Sequence, residues 1–167
     1  QMLGPDEEGE IILSGPNIMK GYYKLQEQTD QVMMDLPTEV GAYHNRGFRT
    51  GDIGKIDSDG FLYITGRKKE MLIIGGENVF PREIEEVLNR HPQIKASAVV
   101  GRHDTMRGEV PIAFVEVEED QTLDEASVRQ ACRDELAQFK VPKEIRVMDE
   151  LPRNPTGKIM RRSLPTD

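Results

Sequence analysis

At Pro81 the spacing of apolar residues changes, and that change constrains the fold more than any other feature of the chain. Before it, apolar residues come in short runs. Ile53 to Asp57 and Phe61 to Thr65 are joined by Ser58-Asp59-Gly60. An Asp-Gly between two strand-like runs marks a hairpin, because glycine supplies the positive φ of the turn. Met71 to Ile74 and Val79-Phe80 read as a second hairpin, with Gly75-Gly76-Glu77-Asn78 between its strands. From Pro81 the period becomes helical. Proline suits a first helical turn; Ile84, Val87 and Leu88 share one face, and Pro92 stops the helix.

Ala96 to Val100 and Ile112 to Val117 follow as strands. Thr122-Leu123-Asp124-Glu125 reads as a capping box opening a helix to about Gln138, and Glu144 to Met148 is a further strand. The order α-β-β-α-β describes a small α+β domain of about 100 residues, two helices on a short sheet. Cys132, with Val128, Leu136 and Phe139 at helical spacing, belongs to its core. Residues before about 66 are different: a strand at Glu10 to Ser14, a Gly15-Pro16-Asn17 turn, and a loop from 25 to 47 with one helix near Glu27 to Met34.

Composition removes several function classes. A net charge of -8 argues against general nucleic-acid affinity, which phosphate neutralisation drives. Basic clusters at Arg67-Lys68-Lys69 and from Arg153 to Arg162 suit one small polyanion instead. A single cysteine forbids an intrachain disulfide, and His44, His91 and His103 have no ligand spacing, so no metal site is expected. No apolar run reaches the ~20 residues a bilayer requires. The first residues have neither the positive start nor the apolar stretch of a secretory signal. Together these suggest a cytoplasmic setting, with peripheral membrane association left open.

Thr50-Gly51-Asp52 presents a carboxylate at the start of a strand. Its two acceptor oxygens match the vicinal hydroxyls of a ribose, and equally well cap a turn. Gly75 and Gly76 permit either a tight turn or close approach of backbone to a ligand. Pro155-Thr156-Gly157 makes a turn that presents Lys158. This Gly-Lys is not a P-loop: Pro152 stands where that motif has glycine, and Ile159 where it has Ser or Thr.

Phe48-Arg49-Thr50-Gly51-Asp52-Ile53, Gly66-Arg67-Lys68-Lys69-Glu70, Gly76-Glu77-Asn78-Val79-Phe80-Pro81 and Asn154-Pro155-Thr156-Gly157-Lys158-Ile159 occur in that order. In this the chain resembles the adenylate-forming superfamily of acyl-CoA synthetases, nonribosomal adenylation domains and luciferases, from Gly9-Glu10-Ile11 to Ile159. The resemblance implies a C-terminal β-rich piece of the large domain at 1–68, a hinge at about 67–70 and a mobile C-terminal domain at 69–167. It assigns nucleotide binding to Asp52 and Arg67, the hinge to Lys69, the pantetheine channel to Gly75, Gly76 and Glu77, and catalysis of adenylation to Lys158. It implies ATP and coenzyme A as co-substrates, and magnesium held by residues of the large domain outside this chain. The wording is most like that of fatty or medium-chain acyl-CoA synthetases. Ligases of aromatic or other small acids, adenylation domains loading a carrier protein, and a non-catalytic nucleotide-binding or regulatory module are the alternatives. The small-molecule acid, ATP, coenzyme A and the large domain in cis are the expected partners. Residues 1–66 alone leave sheet edges able to pair with a second copy, and the fragment alone is expected to be inactive.

Overall fold

The computed structural model describes residues 3–37 and 45–166, so His44 lies outside the described residues. The fold is α+β, with two sheets. The chain divides into two compact units, residues 1–69 and 70–167.

In the first unit, β1 (Gly9–Leu13), α1 (Gln26–Val32), β2 (Met33–Asp35), β3 (Arg46–Ile56) and β4 (Leu62–Arg67) follow one another. β3 pairs antiparallel with each of the other strands. The helix expected from Glu27 to Met34 ends at Val32, because Met33–Asp35 turn extended to pair with Arg46–Phe48. The strand expected from Ile53 is the second half of an 11-residue strand. Its hairpin with β4 turns as the sequence predicts: Asp57 Oδ1 accepts from the amides of Asp59 and Phe61, and Gly60 has φ +87.

The second unit contains β5 (Leu72–Ile74), β6 (Glu77–Val79), α2 (Pro81–Asn89), β7 (Ile94–Asp104), β8 (Gly108–Val117), α3 (Glu125–Glu135) and β9 (Glu144–Val147). The sheet order is β6-β5-β8-β7, and β9 pairs parallel with β8. β8 is buried on both faces, and alternation sends its side chains to different neighbours. Ala113 and Val115 pack with Ile84, Val87 and Leu88 of α2 and Val128 and Cys132 of α3. Val110, Ile112 and Phe114 pack with Leu151 and Leu164 of the C-terminal segment. The sheet is therefore the middle of three layers, and the last stretch of chain is its second cover.

Three local expectations need correction. The turn between β5 and β6 has two residues, Gly75 and Gly76, with φ +62 and +90. Positive φ at both central positions matches the twist of the flanking strands, so Glu77 and Asn78 are free to join β6. The cap of α3 is Asp124, whose carboxylate accepts from the amides of Ala126 and Ser127. Thr122 is not the cap; its carbonyl accepts from the Gln93 side chain. α3 also ends at Glu135 rather than Gln138, because Leu136 is extended and Gln138–Lys140 form a separate 3-10 turn. Cys132 is wholly buried, and burial pushes its thiol pKa up. Among the described residues no helix is long and apolar enough to cross a membrane.

Candidate functional site

The sequence-predicted residues fall in both units. In the first, Thr50-Gly51-Asp52 sits where the pairing of β1 with β3 shifts register between Glu10 and Ile12. The Thr50 hydroxyl donates to the Ile11 carbonyl at 2.8 Å and accepts from the Asp52 amide at 3.0 Å. Gly51 takes φ +73, a conformation that strains any residue with a Cβ. This is a bulge, a device that re-aims a side chain from a regular strand. Asp52 is thus inside β3 rather than at its start, directly opposite Arg67 of β4.

Arg67 Nε donates to Asp52 Oδ1 at 2.9 Å, so two residues expected to meet a nucleotide meet each other. The pair uses one carboxylate oxygen and one of the guanidinium's donors, and it is partly exposed. Nearby, Glu10 Oε2 receives Arg49 at 3.3 Å and Lys68 at 3.2 Å. Two of the three residues of the basic run Arg67-Lys68-Lys69 therefore already face carboxylates within the unit. Lys69 is exposed in the 3-10 turn Lys68–Glu70, next to the boundary between the units.

In the second unit, Gly75, Gly76 and Glu77 are exposed, and a Cβ added at either glycine would touch nothing within 4 Å. The Gly75 amide donates to the Arg107 carbonyl at 2.8 Å, fixing the turn beside the start of β8, where Ile74 pairs with Gly108.

Lys158 is exposed on a turn organised by one side chain. Asn154 Oδ1 accepts from the amide of Thr156 at 3.1 Å, its hydroxyl at 2.8 Å and the amide of Lys158 at 2.8 Å. The Asn154 amide donates to the Lys158 carbonyl at 2.9 Å, and Gly157 takes φ +83. Lys158 Nζ makes no hydrogen bond or ion pair among the described residues. Its neighbours differ. Arg153 reaches Glu116 Oε1 at 3.0 Å, and Arg161 reaches Glu85 Oε2 at 2.7 Å and Glu70 Oε2 at 2.9 Å. Of the C-terminal basic cluster, Arg153 and Arg161 face carboxylates, while the Lys158 side chain is exposed.

The electrostatics at these anchors are well defined. Burial works to raise the Glu116 carboxyl, but the Leu151 amide and the Arg153 guanidinium outweigh it and hold its pKa below the ordinary value. Burial works to lower the pKa of Arg161, and Glu85 and Glu70 outweigh that, so its charge is secured. Sequence reasoning missed Asn154, Glu116 and Glu85. The turn-forming Asn-Pro-Thr-Gly run offered a signal for Asn154; Glu116, alternating with Val115 and Val117, offered none.

The two exposed elements stand on different roots. The Lys158 turn is rooted through Arg153 at Glu116, while the glycine turn adjoins Gly108. Those positions are eight residues apart on β8, which at strand rise separates them by about 27 Å. Among the described residues there is no group of three or more His, Cys, Asp or Glu side chains that could hold a metal ion.

Residues 83–158 match the family of the AMP-binding enzyme C-terminal domain. The chain is 44% identical over 160 residues to 2-succinylbenzoate–CoA ligase of Geobacillus kaustophilus, covering 96% of this chain and 31% of that protein. It is also 44% identical to sulfoacetate–CoA ligase of Cupriavidus necator, covering 96% and 30% respectively. The structure superposes on o-succinylbenzoate CoA synthetase of Bacillus subtilis bound to its acyl-adenylate intermediate, with TM-score 0.86 and 34% identity over 98% of this chain and 31% of that one. Residues 83–158 thus match the C-terminal domain of AMP-binding enzymes, and the fold is similar over nearly the whole chain to part of an adenylate-forming ligase. It spans 30–31% of the length of these curated relatives.

Proposed function

We propose that this chain is the C-terminal part of an AMP-forming acid–thiol ligase. The acid attacks ATP to give an acyl-adenylate and pyrophosphate; the thiol of coenzyme A then attacks the acyl carbon and displaces AMP. Asp52 accepts from ribose hydroxyls, and Arg67, already aligned against Asp52, offers its remaining donors to the nucleotide. Lys158 stabilises negative charge during adenylation. The Gly75-Gly76 turn, with Glu77, lines the approach of the thiol, where the missing side chains give the pantetheine arm room. Lys69 lies in the hinge that absorbs the change between the two steps.

The observation that supports this reading is that the two exposed turns stand on different roots of the second unit, one beside Gly108 and one held through Arg153 at Glu116. Two such separate turns are not expected to serve one reacting carbon in a single docking of a rigid unit. Two successive dockings, Lys158 inward and then Gly76 inward, present each in turn. For the acid, we infer a small carboxylic acid rather than a fatty acid. The fatty-acid expectation finds no support among the relatives named above, which act on 2-succinylbenzoate and sulfoacetate.

Single-turnover kinetics of each half-reaction in the full-length enzyme test the assignment. Lys158→Ala is expected to slow adenylation by about 10²–10³, the effect of losing one such electrostatic contact. It should spare thioester formation from supplied acyl-adenylate. Gly76→Leu is expected to do the reverse. Equal slowing of the same half-reaction by both variants overturns the two-face reading. Preferred turnover of long-chain fatty acids over succinylbenzoate-like and sulfonated acids overturns the substrate class.

A further inference from the structure

We propose that Asn154 and the Glu116–Arg153 and Glu85–Arg161 ion pairs are positioning residues, which hold the backbone under Lys158 in the one place from which its ammonium reaches the reacting groups. The inference rests on the catalytic reading of Lys158 given above and extends it to residues that touch no substrate.

A lysine tip is carried on four rotatable carbons, so its aim depends on where the backbone begins. Residues 154–158 form a turn whose tip, residues 155–158, is exposed, a setting in which backbone ordinarily wanders. Here it is held at both roots. On one side Glu116, with its side chain 6% exposed, accepts from the Leu151 amide at 2.8 Å and from Arg153 at 3.0 Å. On the other, Glu85 accepts from Arg161 and from the Val99 amide, the latter at 2.7 Å. Between the roots, the Met160 amide donates to the Pro152 carbonyl at 2.7 Å, and Arg153 bridges to Ile159. Asn154 then closes the turn with a single carboxamide oxygen serving three donors.

The choice of chemistry is informative. Burying a carboxylate is a poor way to gain stability, since desolvation offsets most of the attraction and apolar replacements are often as stable. What a buried, hydrogen-bonded ion pair supplies is direction. Apolar neighbours could hold Leu151 and Leu164 in the core, but they would leave the turn between them free to slide. Two guanidinium groups fix it: Arg161 binds Glu85 through Nε and Nη2, and Arg153 spans Glu116 and the Gly157 carbonyl, each carboxylate also accepting from a backbone amide. The third contact of Arg161, to Glu70, ties the same root to the first residue of the unit, so the catalytic turn moves rigidly with the end of the hinge.

The test is a double-mutant cycle in the full-length enzyme, with Asn154→Ala, Glu116→Gln and Lys158→Ala alone and combined. Glu116→Gln keeps the acceptor for Leu151 and loses the charge that aims Arg153. Asn154→Ala lies in an exposed turn, away from the packed core. Asn154→Ala and Glu116→Gln alone are each expected to slow adenylation on the order of 10-fold to 10²-fold, the cost of misplacing a catalytic group by about 1 Å. The thioester half-reaction should stay within about twofold. In the Lys158→Ala background both changes should lose their effect on adenylation, and Asn154→Asp, which keeps the acceptor oxygen, should restore the rate. Equal slowing with and without Lys158, or slowing of both half-reactions alike, overturns the positioning role and leaves the function standing. If Lys158→Ala itself spares adenylation, the functional reading falls first.

Discussion

The two units are built from comparable sheets, yet only the second has an interior. Every buried hydrophobic among the described residues lies at Leu72 or beyond. The first unit instead exposes Ile56, Phe61, Leu62, Tyr63 and Ile64 in succession along its hairpin, together with Tyr22, Tyr23 and Leu25. In the first unit β3 is paired along most of its length, interrupted at the Thr50-Gly51 bulge. Backbone pairing thus specifies a sheet without giving it a core. What the second unit adds is cover on both faces, from α2 and α3 on one and from the C-terminal segment on the other.

The sharpest way to break this comparison is to delete the same kind of side chain from each unit. Phe114→Ala, in the doubly covered face, is expected to cost about 3–5 kcal/mol in urea unfolding followed by a probe in the second unit. Ile64→Ala should move stability by no more than about 0.5 kcal/mol, because its side chain is already in water. A comparable cost at Ile64 would show that the first unit has an interior of its own in solution. Amide exchange is expected to give the same division, with slow exchange concentrated from Leu72 onward; uniform protection in a dilute monomer overturns it.

Glycine substitutions sharpen the comparison at smaller cost. Gly76→Ala and Gly51→Ala both force a Cβ into positive φ with no neighbour in the way, which costs about 1–2 kcal/mol locally. At Gly76 the strain adjoins packed strands and should lower the urea midpoint of the second unit. At Gly51 it should leave that midpoint unchanged and speed exchange only around the bulge.

The smallest effect is electrostatic. The Lys143 ammonium, with the amides of Met106 and Arg107, holds the Asp104 carboxyl down to about 2. An unfolded aspartate titrates near about 3.9. A depressed folded pKa contributes stability that is fully present above the unfolded value and is lost as pH falls through the folded one. The second unit should therefore lose stability as pH drops from about 4 toward 2, and Asp104→Asn should flatten that part of the profile. An unchanged profile would show that the Asp104–Lys143 pair is not maintained in solution.

Local signals in the sequence were legible where a single residue type dictates the backbone. Pro81 starts α2, Gly60 supplies the positive φ of the first hairpin, and Cys132 lies in the core, all as the sequence predicts. The sequence misleads where two local solutions compete. Thr122 and Asp124 are both good caps, and the winner follows from Leu123, which packs against the core and sets where the chain can enter α3. Gly75 and Gly76 alone satisfy the turn, so Glu77 and Asn78 were released to the strand. Least legible were contacts between residues far apart in sequence. Arg161 and Glu85 are 76 positions apart, and no periodicity announces them. The same holds for Asp52 and Arg67, each read separately as a ligand contact before β3 and β4 brought them together.

The C-terminal segment carries a last consequence. Leu151 and Leu164 plug the sheet on either side of the exposed Lys158, so one short stretch both displays the lysine and covers the core. A chain stopped between them loses Leu164 from the face formed by Ile112 and Phe114, and its stability is expected to fall with it. Display of the lysine is therefore tied to the integrity of the fold that carries it.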